Sequence, residues 1–211
     1  MLLFLDTETT GLPDFNLPIT HPSQPHIVQI AAWLGEPPVG RDYAPMLECR
    51  HVASLNAVIR PSGWEVGAHA ERIHGISTRY ALAFGEDLAH TLRRFFEMVK
   101  LADDKENGCS GTLIAHNLPF DHRMLTADAA RAGLDATPLG LLKPFCTMRA
   151  LTPRMRLPGK WPGKYKWPNL TEAHRFCFPD TADFDNKHTA MGDLLACKDI
   201  YLHGLTEGWW T

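Results

Sequence analysis

No apolar run in this chain approaches the roughly 20 residues that a membrane-spanning helix requires. Leu2 to Leu5 is likewise too short for the core of a secretory signal, so neither a membrane span nor a leader is expected. Cysteine is sparse and shows no pairing pattern. Cys49, Cys109, Cys146, Cys177 and Cys197 are widely and irregularly spaced, which fits neither a disulfide framework nor a Cys-x-x-Cys zinc site. Reduced thiols and a cytoplasmic location are therefore expected. His174 and Cys177 have the spacing of half a zinc site, but no second pair accompanies them. Net positive charge is also missing: 21 basic against 24 acidic residues leave -3, so overall potential does not hold this chain on nucleic acid. Repeats and low-complexity tracts are absent, and 211 residues with 45% hydrophobic and 21% charged content suit one globular domain spanning 1–211.

The charge that is present is segregated. Lys143, Arg149, Arg154, Arg156, Lys160, Lys164 and Lys166 lie in a stretch, 143–167, that contains no acid, leaving 14 basic against 24 acidic residues elsewhere. Within it, Arg154 to Trp167 interleaves cations with aromatics, as single-strand channels do to hold phosphates and stack bases. A Pro/Gly-rich surface loop whose tryptophans pack on the domain is an equal reading.

Along the chain, strands come first. Leu2 to Leu5 suits a strand buried on both faces, and His26 to Leu34 resumes an extended apolar pattern after a loop with four prolines. Gly35-Glu-Pro-Pro reads as a turn, and a third strand falls within Arg50 to Arg60, which predicts an antiparallel meander. Helical spacing follows at Gly67 to His74 and Gly85 to Ala102. Thr112 to Ala115 reads as a short buried strand, with His116-Asn117 capping a helix from Pro119 to Ala132 and Gly133 stopping it. Phe145 to Met148 is a candidate edge strand running into a short helix, Thr147 to Leu151. Helices are expected at Asn169 to Phe178 and Thr189 to His203. This order predicts an α/β fold with a central mixed five-stranded sheet flanked by helices.

Chemistry is concentrated at three places. In Leu5-Asp-Thr-Glu-Thr-Thr-Gly-Leu12, strand alternation puts Asp6 and Glu8 on one side, their Cβ atoms about 6.5 to 7 Å apart, close enough to grip metal ions between them. Alone, Asp-x-Glu is more simply a solvated strand end. In Ile114-Ala-His-Asn-Leu-Pro-Phe-Asp121, Asp121 falls in the first turns of a helix, where an acid also serves as a dipole partner. In His188-Thr-Ala-Met-Gly-Asp193, the five-residue spacing turns the two side chains about 140° apart on one helix. Both reach one site only if His188 precedes the helix start.

Taken together, these three motifs resemble those of the DEDDh family of 3′→5′ exonucleases, which have a ribonuclease H-like fold. Arg72-Ile-His-Gly-Ile76 and Lys166-Trp-Pro-Asn-Leu170 resemble the family's intervening segments, so the likeness covers nearly the whole chain. The resemblance implies catalytic roles for Asp6, Glu8, Asp121, His188 and Asp193, with two Mg²⁺ or Mn²⁺ ions as cofactors. Asp6, Glu8 and Asp193 would hold one ion, Asp6 would bridge to the second, Asp121 would support that second ion, and His188 would be the general base. Thr9 and the backbone at Gly11 would meet the terminal 3′-hydroxyl, with Leu12 wedged against the last base. Asn117, Lys160, Trp161, Lys164 and Lys166 are further candidate contacts to substrate. The implied partner is nucleic acid with a free 3′ end, single-stranded and DNA in preference to RNA, and a polymerase or other replication protein is a candidate second partner. An RNA-trimming enzyme and a non-catalytic docking module on the same fold are the rival readings; the second predicts a lost ligand position, and all five are filled.

Overall fold

The computed structural model describes residues 1–38, 49–103, 110–161, 163–181 and 183–210. Cys109 and most of the loop expected after Ala102 lie outside the described residues.

Five strands build the sheet: β1 (Leu2–Thr9), β2 (Ile27–Glu36), β3 (Arg50–Val58), β4 (Thr112–Ala115) and β5 (Lys143–Cys146). Their order is β3-β2-β1-β4-β5, with β1, β2 and β3 antiparallel and β4 and β5 parallel to β1. The mixed sheet and the meander are therefore as expected. Among the described residues seven helices accompany it: α1 (Ala68–His74), α2 (Thr78–Phe84), α3 (Leu88–Ala102), α4 (Leu118–Arg131), α5 (Thr147–Met155), α6 (Leu170–Cys177) and α7 (Ala190–Thr206).

As strand alternation anticipated, β1 runs through Asp6 and Glu8, and it continues to Thr9 because β2 supplies paired backbone as far as Ile27. Two local expectations need correcting. Gly35 and Glu36 belong to β2 rather than to a turn, and the last strand is Lys143–Cys146, since Thr147 already starts α5. Helix α2 and a 3-10 turn at Thr137–Leu141 were not foreshadowed.

The alternation of β1 sorts the core into two layers. Leu3 and Leu5 face α3 and α4, packing with Leu92, Phe95, Met124 and Leu125. Leu2 and Phe4 face α7, packing with Ala190, Leu194, Cys197 and Tyr201. Asp6 and Glu8 continue the second face by the same period of two, so the strand that buries Phe4 against α7 must aim both acids at the start of that helix. Thr7, on the other face, is aimed at α4.

Candidate active site

Asp6 and Glu8 share one face of β1, as alternation requires, and Asp193 of α7 meets them there. Their carboxylate oxygens lie within 4.8 Å of one another, and among the described residues no other group of three His, Cys, Asp or Glu side chains converges so closely. Asp193 sits in the first turn of α7, and His188 lies before that helix, whose N-cap is Thr189 accepting from the Gly192 N–H. His188 adopts a left-handed backbone (φ 60°), its N–H donates to Asp193 Oδ1 at 3.1 Å, and its ring is left exposed. That kink lets the two residues share a site despite their 140° helical offset.

Asp121 comes from the opposite layer. It is buried at 2% exposure in the first turn of α4, where the Thr7 hydroxyl donates to Oδ1 at 2.8 Å. Asn117 precedes this helix in a left-handed conformation and its side chain makes no capping bond, contrary to the expected cap.

The electrostatics identify Asp6 as the hub. Burial, then the charges of Asp121, Asp193 and Glu8, hold its carboxyl well above the usual range. Burial and Asp193 push Glu8 up to about 7. Asp121 is raised by burial against the opposing Thr7 bond. Asp193 is raised by burial, opposed by the His188 N–H and by the nearby His188 and Lys187 charges. Four acids that all resist ionisation need a counter-charge, and Lys187 is already engaged by Asp183 at 2.6 Å. Hard carboxylate oxygens at this separation fit a hard divalent cation such as Mg²⁺ or Mn²⁺.

The lip of the site is a fastened loop. Thr9 Oγ1 donates to the Gly11 carbonyl at 2.7 Å, and the Thr10 N–H bonds His26 O at 2.9 Å. The buried Gln24 amide donates to the carbonyls of Asp14 and Pro18, and Arg123 donates to those of Asp14 and Leu17. Within this brace Leu12 is 86% exposed, so it is not a packed loop residue.

The basic stretch forms a hairpin beyond α5. Gly159 N–H bonds Lys164 O, Lys166 N–H bonds Leu157 O, and Pro158 bridges Tyr165. Trp161 is 74% and Trp167 61% exposed, so these tryptophans do not pack on the domain. Lys160 and Lys164 are exposed, while Lys166 bonds Glu172 at 2.5 Å. The hairpin is tied back through His116, which bonds Thr147 Oγ1 at 2.9 Å and Pro168 O at 3.0 Å. Burial pushes His116 down to about 4, and a carbonyl only accepts. The ring is thus neutral with its proton on Nε2, and Thr147 donates to Nδ1.

Two supporting residues were missed from sequence. Gln29, opposite Glu8 in the β1–β2 register, accepts the Ala190 N–H at 3.1 Å and donates to Asn56 Oδ1 at 2.9 Å, pinning the start of α7 to the sheet. A lone amide inside Ile-Val-Gln-Ile-Ala was the available signal. Thr7 offered none, because its partner lies 114 residues away.

No family model matches the sequence, and no relative is found among curated proteins. Solved structures do match. Exonuclease I aligns with TM-score 0.69 and 19% identity over 97% of this chain and 40% of that one. The chain shares the fold of the aligned part of exonuclease I. E. coli exonuclease I in complex with a dT13 oligonucleotide matches at TM-score 0.67 and 19% identity, covering 98% of this chain and 40% of that one. Exonuclease I from Methylocaldum szegediense matches at 0.66 and 17%, over 96% and 40% respectively. The chain therefore spans about 40% of the length of these exonuclease I structures, and at such identities the likeness is one of fold. The five-stranded sheet with flanking helices is accordingly the ribonuclease H-like arrangement expected from the motifs. Among the described residues no helix is long and apolar enough to cross a membrane.

Proposed function

We propose that this chain is a divalent-metal-dependent 3′→5′ exonuclease that shortens nucleic acid from its 3′ end and releases 5′-mononucleotides. The observation that carries the reading is the convergence of Asp6, Glu8 and Asp193 within 4.8 Å, with Asp121 acting on Asp6 from the opposite layer. Asp6, Glu8 and Asp193 are the residues to hold one Mg²⁺ or Mn²⁺, and Asp6 with Asp121 a second. Such a pair of cations stabilises charge on the attacking and leaving oxygens of an in-line displacement at phosphorus. His188, exposed beside Asp193, accepts the proton of the attacking water as general base.

Recognition of a chain end falls to the fastened lip. Leu12 stands clear to wedge against the terminal base, and the Thr9–Gly11 turn presents backbone to the 3′-hydroxyl. Asn117, with no capping bond, is free to meet a substrate phosphate. Lys160, Trp161 and Lys164 contribute cations and a stacking face on the hairpin, with Lys166 at its base. Single-stranded DNA is the favoured substrate, in keeping with the dT13 complex of E. coli exonuclease I.

The reading is tested with paired single-stranded DNA and RNA of one sequence, each with a free or a 3′-phosphorylated end, in Mg²⁺ and in EDTA. Faster shortening of free-ended DNA, abolished by EDTA, is the expected result. Faster shortening of RNA would make the chain an RNA-trimming enzyme, and binding without shortening would make it a docking module.

A further inference from the structure

The parallel strands β1, β4 and β5 all end at one edge of the sheet, and the register puts Phe4, Ile114 and Phe145 in one row. Asp6 and Glu8 lie just past that row on β1, His116 to Asp121 just past it on β4, and Cys146 to Arg149 just past it on β5. At about 4.8 Å per strand, the end of β5 is roughly 10 Å along this edge from Asp6. A groove of about 410 Å³ opens there, between the first turns of α4 and α5. Its walls are Leu118, Pro119, Phe145, Cys146 and Ala150. His122 and Arg149 are exposed at its rim, and Arg149 makes no ion pair among the described residues.

We propose that this groove receives an unpaired base of the substrate strand on the 5′ side of the scissile bond, with Arg149 meeting the adjoining phosphate; the proposal rests on the exonuclease reading. The volume falls within the range of ligand sites, about 300–1,000 Å³, and the apolar walls suit the faces of a planar ring. Position favours a strand of nucleic acid over other occupants. One end of the groove is built from the same helical turn as Asp121, and past its other end α5 leads into the hairpin bearing Lys160, Trp161 and Lys164. No acidic residue lies between Lys143 and Trp167, so a polyanion leaving the site in this direction meets only cations of that segment. The groove thus joins the cleavage site to the hairpin as one track along the carboxyl edge of the sheet.

Cys146 supplies a native probe, being half-buried in the groove wall, while the half-buried Cys49 and the buried Cys177 and Cys197 lie outside the groove. Alkylation of the whole protein is followed residue by residue by peptide mass spectrometry, in EDTA, with ligand concentrations that saturate binding by fluorescence anisotropy. A single-stranded octanucleotide is expected to slow Cys146 labelling at least about fivefold while thymidine 5′-monophosphate leaves it unslowed. Equal protection by the mononucleotide would assign the groove to the terminal nucleotide and overturn the proposal, as would unchanged labelling with bound octanucleotide. Ala150→Trp should raise KM for octanucleotide shortening about tenfold, and Arg149→Glu should do likewise while lowering the salt slope of binding by about one. Both effects should be much smaller on the p-nitrophenyl ester of thymidine 5′-monophosphate, which is too short to reach the groove. Failure of the wild type to cleave either substrate would overturn the exonuclease reading itself. Cleavage with no loss in either variant would overturn the groove alone.

Discussion

The acidic cluster and the basic hairpin present opposite solutions to placing charge. Asp6, Glu8, Asp121 and Asp193 come from positions scattered over 188 residues and are drawn together by sheet register and two helix starts, Asp121 buried and the other three half-buried. Lys160, Trp161 and Lys164 are near neighbours in sequence, held by a few backbone hydrogen bonds and left in solvent. Like charges in the cluster oppose folding until a cation joins them, so its geometry is kept by the core around it. The hairpin's cations are already solvated and cost little, but salt screens them. Under the proposed function, chemistry falls to the rigid region and grip to the exposed one, with His116 tying the second to the first.

The sharpest way to break this contrast is to neutralise the hub. Asp6→Asn should lower cleavage by at least about a thousandfold. In the metal-free state it should raise Tm by a few degrees, because one repelling charge is gone. A variant that is both inactive and less stable would mean that Asp6 is a structural acid. Next in size, His188→Ala should cut turnover about a hundredfold while leaving the dissociation constant for single-stranded DNA within about twofold. Equal losses in turnover and affinity would make His188 a positioning residue.

On the hairpin, Lys160→Glu with Lys164→Glu should weaken single-strand binding about tenfold or more and flatten its salt dependence by about two counterions, with turnover at saturation retained. Loss of turnover instead would erase the division between grip and chemistry.

The smallest effect is a pH dependence. Carboxyls raised in the folded protein contribute stability that is full below their unfolded pKa and is lost as pH rises through the folded value, about 7 for Glu8. Metal-free protein should therefore lose Tm between about pH 5 and pH 8, and wild type should lose more than Glu8→Gln, a difference in which the opposing effects of His74, His116 and His174 cancel. Mg²⁺ should restore the loss at the higher pH. Identical curves for the two proteins would contradict the placement of Glu8 among like charges.

Much of the scaffold was legible because local chemistry and tertiary role agree. Thr112–Ala115 is short, apolar and flanked by turn residues, and Asn169 is of the residue type that caps a helix start, as it does for α6 by accepting from the Glu172 N–H. The strand alternation of Asp6 and Glu8 was legible too, but the last pair of β1 was not, since Thr9 stays in the strand only through its pairing with Ile27 of β2. Helix α2 escaped notice because it leaves Tyr80, Leu82 and Phe84 exposed and buries little beyond Ala81, so its sequence lacks an apolar stripe. In the site, the resemblance of the three motifs pointed to the acids, and helical spacing gave the condition on His188. It could not give Gln29 and Thr7 their partners, which depend on the layer in which α4 and α7 lie. The tryptophans of the hairpin were ambiguous for the same reason: composition does not say which way a side chain faces.

The most direct measurement follows a 5′-labelled single-stranded DNA over time with the wild-type protein, with Mn²⁺ or Mg²⁺ and with EDTA, and identifies the released product. The account predicts a ladder that shortens stepwise from the 3′ end, release of 5′-mononucleotides, and no reaction in EDTA. Internal cuts, shortening that persists in EDTA, or an intact strand in the presence of metal would contradict it.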